Sequence, residues 1–207
     1  MSKTDPKIDT VVFDLGGVLI DWNPRYLYRK IFSTEDEITW FMTNICTSEW
    51  NDMQDAGRSF ADATEELVRK FPEHEAPIRA WYERFPETIS GAIQPTVDIL
   101  GKIKEKNAHR LYALTNWSAE SFPWAQKNFE FLSWFEGIVV SGAEKTRKPH
   151  ADFYHILLNR YKIDPARAVF IDDNIHNIKG ANDVGLNTIH FKSGAELERE
   201  LLKMGVL

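Results

Sequence analysis

The chain has 207 residues, 43% of them hydrophobic and 27% charged, with a formal net charge of -6. That length and composition exclude a disordered or fibrous chain and leave room for one substantial α/β domain plus an insert. The acidic balance, with no Lys/Arg block, argues against a nucleic-acid or anionic-membrane partner.

Met1 to Asp9 is polar and lacks the apolar stretch of a signal peptide. No run is long and apolar enough to cross a membrane, so a cytoplasmic location is the expectation. The single cysteine, Cys46, has no internal disulfide partner and no Cys-His motif around it, and it reads as a small buried hydrophobe. The six histidines lack metal-ligand spacing, so no zinc site is suggested.

Thr10-Val11-Val12-Phe13 is a β-branched and aromatic run that ends in Asp14. Leu111-Tyr112-Ala113-Leu114 ends in Thr115, Ile138-Val139-Val140 in Ser141-Gly142, and Ala168-Val169-Phe170-Ile171 in Asp172-Asp173. Thr188-Ile189-His190-Phe191 is a weaker fifth run. Continuous apolar runs of this length predict strands buried on both faces. Between them lie helical patterns over 96–106, 118–131, 149–161 and 174–184. Alternating strands and helices predict an α/β fold with a doubly wound parallel sheet and right-handed crossovers.

The stretch from Asp21 to Gln94 breaks this rhythm, with helix signals and no good strand. Ser33 or Thr34 opens one helix, Ser59 to Phe71 carries a second and Glu75 to Phe85 a third. A βα loop usually takes only ~2–6 residues, so this stretch reads as an inserted helical cap domain. The expected division is 1–20 and 95–207 for the core and 21–94 for the cap, with Trp40, Trp50 and Trp81 in the cap's own core.

In an open parallel sheet, ligands bind beyond the carboxyl ends of the strands. Asp14, Thr115 and Asp172-Asp173 stand at three such ends, and Lys148 follows the third strand closely. Each has a plain alternative: a strand end at Asp14, a helix cap at Thr115 or at Asp172-Asp173, a solvated charge at Lys148. Their joint order at strand ends favours a site.

Val11-Val12-Phe13-Asp14-Leu15-Gly16-Gly17-Val18-Leu19, Leu114-Thr115-Asn116, Arg147-Lys148-Pro149 and Phe170-Ile171-Asp172-Asp173-Asn174 resemble, in order, the four motifs of the haloacid dehalogenase superfamily. The helical insert resembles the cap of one of its branches. The resemblance covers almost the whole chain. It implies that Asp14 attacks phosphorus to form an aspartyl-phosphate. It implies a Mg2+ ion held by Asp14, the Gly16 carbonyl and Asp173, with Asp172 acting mainly through a metal-bound water. Lys148 would then neutralise Asp14 and the phosphoryl group. Thr115 and Asn116 would donate to phosphate oxygens, with help from backbone N–H groups of a helix opening near Ser118. Asn177 would brace the metal site or serve structure alone.

The chain departs from the pattern at Gly16, where many phosphatases of the family carry a second Asp as general acid. Asp21 or a water would replace it, or the leaving group would need little help. A 2-haloacid dehalogenase using the same Asp14 is a rival, disfavoured by the Asp172-Asp173 pair, which would repel a carboxylate substrate. A non-catalytic binding protein is a further alternative. The expected partner is a small phosphorylated metabolite, with a sugar phosphate as the leading candidate, and the chain would be a monomer or homodimer. Arg25 reads equally as a substrate contact or as a surface ion pair, and Trp117 as pocket lining or as packing against the cap.

Overall fold

The computed structural model describes residues 7–207; residues 1–6, which begin the polar segment read as no signal peptide, lie outside the described residues. The strands are β1 (Thr10–Phe13), β2 (Ile20–Trp22), β3 (Ile89–Ala92), β4 (Arg110–Thr115), β5 (Gly137–Val140), β6 (Ala168–Asp172) and β7 (Asn187–His190). Between β2 and β3 lie the helices α1 (Arg25–Tyr28), α2 (Glu35–Asn44), α3 (Ser48–Asp55), α4 (Phe60–Lys70) and α5 (Glu75–Glu83). The later helices are α6 (Gln94–Lys106), α7 (Phe122–Asn128), α8 (Ser141–Glu144), α9 (Ala151–Tyr161), α10 (Ile175–Asp183) and α11 (Gly194–Lys203).

Five strands form one parallel sheet in the order β5-β4-β1-β6-β7. The chain winds from β1 outward to β4 and β5, then returns across β1 to β6 and β7. β1 therefore sits at the topological switch point, where such sheets open a crevice. Side-chain alternation along the strands feeds two cores. Val11, Phe13, Leu111, Ala113, Val169 and Ile171 pack with α6, α7 and α11 on one face. Val12, Tyr112, Leu114, Val139 and Phe170 pack with α9 and α10 on the other. Both faces are covered, which is why the strand sequences are apolar throughout rather than alternating. The doubly wound α/β reading is met.

The helices between β2 and β3 have a third apolar cluster of their own, built on Tyr28, Ile38, Phe41, Trp50, Leu67, Ile78 and Trp81. Thr34 caps α2 with a full capping box: its side chain accepts from the Glu37 N–H, and the Glu37 carboxylate accepts from the Thr34 N–H. Among the described residues, no helix is long and apolar enough to cross a membrane.

Three local expectations are corrected. First, the 21–94 stretch is not free of strands: β2 and β3 pair antiparallel where the chain leaves and re-enters the sheet region. They are short, partly exposed and irregular in register, and β3 contains Gly91, so neither carries a clear period-two signal. Second, the helix expected from Ser118 begins only at Phe122 and ends at Asn128. Pro123 lacks an N–H and belongs in a first helical turn, which sets the start there. Third, Trp40 is 52% exposed and lies against the His74 ring, whereas Trp50 and Trp81 are buried. Ile38 and Phe41 supply the inward face of α2, and Trp40 falls outside it.

Phe41 is fully buried in this third cluster, 4.9 Å from the Tyr28 ring. Phe41→Ala is expected to destabilise the helices α1–α5 by about 3–5 kcal/mol. Native-state hydrogen exchange checks this: amides of α2 to α5 should lose protection by more than those of β1, β4 and β6.

Candidate active site

The sheet register aligns Phe13 with Ala113 on one side and with Ile171 on the other. Asp14 and Asp172, one step on, and Thr115, two steps on, therefore emerge together at the carboxyl edge. Asp14 extends β1 by one step, its N–H donating to the Ile171 carbonyl at 2.8 Å. Its Oδ1 accepts from the Leu15 N–H at 2.7 Å.

Lys148 lies in the loop before α9, and its side chain is 0% exposed. Its Nζ is 2.9 Å from Asp14 Oδ2 and 2.7 Å from Asp172 Oδ2. Asn116 holds the Lys148 backbone from both sides: the Lys148 N–H donates to Asn116 Oδ1 at 2.9 Å, and Asn116 Nδ2 donates to the Lys148 carbonyl at 3.1 Å. The Asn116 amide, expected to contact phosphate, is thus engaged in positioning the lysine, although the residue also borders the cavity. Asn177 Nδ2 donates to both oxygens of Asp172 at 3.1 Å, and the Asn174 N–H donates to Oδ1 at 2.8 Å. Thr115 is 1% exposed, and its Oγ1 has no hydrogen-bond partner. A buried hydroxyl in that state has its donor and acceptor capacity free for a ligand.

Carboxylate oxygens of Asp14, Asp172 and Asp173 lie within 4.8 Å of one another. Burial pushes the Asp14 carboxyl well above the usual carboxylate range; Lys148 opposes the shift, and Asp172 and Asp173 add to it. Burial likewise raises Asp173, with Asp172 adding. For Lys148, burial disfavours the charge, but Asp14 and Asp172 outweigh it and hold the ammonium above its ordinary pKa. Three acidic groups thus face one ammonium, and the cluster lacks positive charge. Hard oxygen donors with excess negative charge fit a divalent cation such as Mg2+. Gly17 brings its loop against Asp173: with φ at 73°, a Cβ there would collide with Asp173 Oδ2. Gly16 is different, because a Cβ there would have no heavy atom within 4 Å.

Asp14 and Asp173 open into a cavity of about 460 Å³ between the sheet edge and helices α2–α5, whose lining does not include Thr115, Lys148 or Asp172. Asp14, Gly16, Asn116, Trp117, Asp173 and Asn177 line its floor, and Met42, Asp52, Asp55, Phe60, Trp81 and Tyr82 come from the helices above. Arg147 pairs with Asp52 at 2.9 Å, and the Phe60 N–H donates to Glu120 at 2.7 Å, so two contacts tie the helices to the sheet side. Trp117 fits both of its readings: it lines the cavity and packs its ring 6.1 Å from Phe85. Cys46 also reaches the cavity, but burial pushes its thiol up to about 12, with the Tyr28 hydroxyl opposing, so it stays protonated.

Arg25 is not at the site. It pairs with Glu35 at 2.9 Å and donates to Thr39, so the surface ion-pair reading holds. Asp21 accepts from the Tyr26 hydroxyl at 2.9 Å and does not line the cavity. The short helix α7 begins beyond Ser121 and does not present an N-terminus at Ser118. Sequence reasoning missed Asp52 and Asp55. Carboxylates three apart on a polar helix read as a solvated face, and only packing turns that face toward the sheet.

The fold and the acidic strand ends are accompanied by a family match that places the chain among hydrolases. The chain belongs to the haloacid dehalogenase-like hydrolases: the model of that family matches residues 8–185. It is 25% identical over 195 residues to a sesquiterpene phosphatase of Aspergillus oryzae, covering 93% of this chain and 94% of that protein. Its fold is similar to that of a haloacid dehalogenase family enzyme of Bacteroides thetaiotaomicron, solved as a magnesium complex, with a TM-score of 0.72, 21% identity, and 93% and 98% of the two chains covered. The L-2-haloacid dehalogenase of Xanthobacter autotrophicus shares the fold at a TM-score of 0.61 and 17% identity, covering 97% of this chain and 84% of that one.

Lys148→Met would leave the buried carboxylates without their cation. Removing one partner of a buried pair costs about 3–5 kcal/mol. Asp14 is already held above its unfolded value, and the substitution would raise it further. The folded variant then binds more protons than the unfolded chain, so its stability falls as pH rises from about 4 toward neutrality. Urea unfolding at pH 5 and pH 7.5 should show a larger loss at the higher pH; an equal loss at both would contradict the charge argument.

Proposed function

We propose that this chain is a Mg2+-dependent phosphomonoesterase that passes a phosphoryl group through Asp14 to water. The observation that carries this reading is the Lys148 ammonium fixed between Asp14 and Asp172 inside a cluster of three carboxylates. Such a cluster repels a carboxylate substrate unless a cation joins it, which favours phosphoryl over halide chemistry. The cation, held by Asp14, Asp173 and the Gly16 carbonyl, would supply Lewis-acid neutralisation of the phosphate charge. Asp172 then serves mainly to hold Lys148, a role supported by its four hydrogen bonds from three donors.

The remaining chemistry belongs to the chain's own groups. Asp14 Oδ attacks phosphorus, and Lys148 offsets the charge on both partners as they meet. The Thr115 hydroxyl, free of other partners, donates to a phosphoryl oxygen. Residues 1–20 and 95–207 act as the catalytic core, and residues 21–94 act as a cap that excludes water from the reaction. The substrate's organic part lies against Met42, Phe60, Trp81, Tyr82, Phe85 and Trp117. That wall suits an apolar group better than a sugar, and the sesquiterpene phosphatase relative points the same way.

Phosphate release by purified protein tests the reading. Release should require magnesium and stop with a chelator. Asp14→Asn should remove more than ~10³-fold of the activity, and Asp173→Asn should weaken magnesium affinity by at least about 10–100-fold. An isoprenoid monophosphate should exceed glucose 6-phosphate in kcat/KM by at least ~10-fold, from apolar burial alone. Halide release from 2-chloropropionate, insensitive to chelator, would replace phosphatase with dehalogenase chemistry.

A further inference from the structure

We propose that Asp55, on helix α3, is the proton donor to the departing ester oxygen, acting from above the cavity because no side chain at Gly16 can act from below. The inference rests on the phosphatase reading and adds to it the group that makes a poor leaving group depart.

An alcohol leaving from a phosphate ester departs as an alkoxide unless a proton reaches its oxygen in the transition state. Four carboxyl groups line the cavity: Asp14, Asp173, Asp52 and Asp55. Asp14 is the attacking group, and Asp173 belongs to the acidic cluster. Asp52 is paired with Arg147 at 2.9 Å. Asp55 stands outside the acidic cluster and has no ion-pair partner among the described residues. Its Oδ2 accepts from Asn51 Nδ2 at 3.2 Å, and Ser118, three residues past Thr115, lines the same cavity. The carboxyl therefore faces, from the helices above, the segment that follows β4 and its terminal Thr115. Cys46 and Tyr82 also line the cavity, but burial raises both, and neither gives up a proton near neutrality.

The electrostatic setting agrees with this geometry. Burial pushes the Asp55 carboxyl up to about 7, with Asp52 on the same helix adding to the shift. Arg147 and Lys148 from the loop before α9 oppose it, and Tyr82 of α5 is the other titratable group facing it. A group that titrates near the working pH can donate a proton in one step and take one back in the next. In the first step the Asp14 Oδ–P bond forms and the P–O ester bond breaks, while the Asp55 proton moves to the leaving oxygen, releasing an alcohol. In the second, Asp55 takes a proton from the water that attacks the aspartyl-phosphate phosphorus. Phosphate and free Asp14 result, and Asp55 is protonated again.

The test compares an alkyl monophosphate with para-nitrophenyl phosphate, whose leaving phenolate needs little protonation. Asp55→Asn should lower alkyl phosphate turnover by ~10²–10⁴-fold and para-nitrophenyl phosphate turnover by less than about ten-fold. In the parent protein, kcat/KM for the alkyl ester should fall as pH rises through about 7, and that limb should vanish in Asp55→Asn. The open space at Gly16 allows a rescue: Asp55→Asn with Gly16→Asp should recover at least about ten-fold on the alkyl ester. Carboxyl-carbon NMR should show one titration near 7 that Asp55→Asn removes. Equal losses on both substrates, or an unchanged pH limb, would overturn the role of Asp55 while leaving the phosphatase reading intact. If the parent protein releases phosphate from neither substrate, the phosphatase reading itself fails, and the proposal fails with it.

Discussion

The buried contact of Lys148 with Asp14 and Asp172 is the interaction on which the site depends. An ammonium with no solvent exposure is stable only where opposite charge surrounds it at hydrogen-bond distance. That condition fixes the relative heights of β1 and β6, because one carboxylate comes from each strand end. It also requires the loop before α9 to bring Lys148 over the sheet edge, and Asn116 holds that loop by its backbone. A slip of one residue in any of these strands would turn an acid away and strand the lysine.

The same contact explains why the site invites a further cation. One ammonium does not balance three acidic groups, and the elevated Asp14 and Asp173 carboxyls express that shortfall. On the proposed reading, charge compensation would link affinity for metal, binding of a phosphate dianion and reactivity of Asp14, since each changes the net charge felt by the others. The helices over the sheet intensify these effects by excluding water. They also place a mostly apolar wall opposite the charged floor of the cavity.

The core strands and the Asp14, Thr115, Lys148 and Asp172-Asp173 positions were legible in the sequence because the physics there is local. A strand covered on both faces must be apolar along its length, so a polar residue at its end stands out. The ribbon β2–β3, the late start of α7 and the exposure of Trp40 were not legible. A four-residue strand carries too little pattern, Pro123 overrode a plausible helical period, and a tryptophan's burial depends on which helix face meets a neighbour.

By itself the sequence determined the α/β order, the inserted helices and the set of acids, hydroxyl and cation that the sheet edge would collect. A parallel sheet with right-handed crossovers follows from the alternation of strands and helices, and those rules need no coordinates. Only the tertiary structure decided that Arg25 and Asp21 lie away from the cavity and that Asn116 grips the Lys148 backbone. It also decided that Asp52 and Asp55 line the cavity. Those outcomes depend on how one rigid helix face meets a sheet edge some forty residues away in the chain, and no local pattern encodes that meeting.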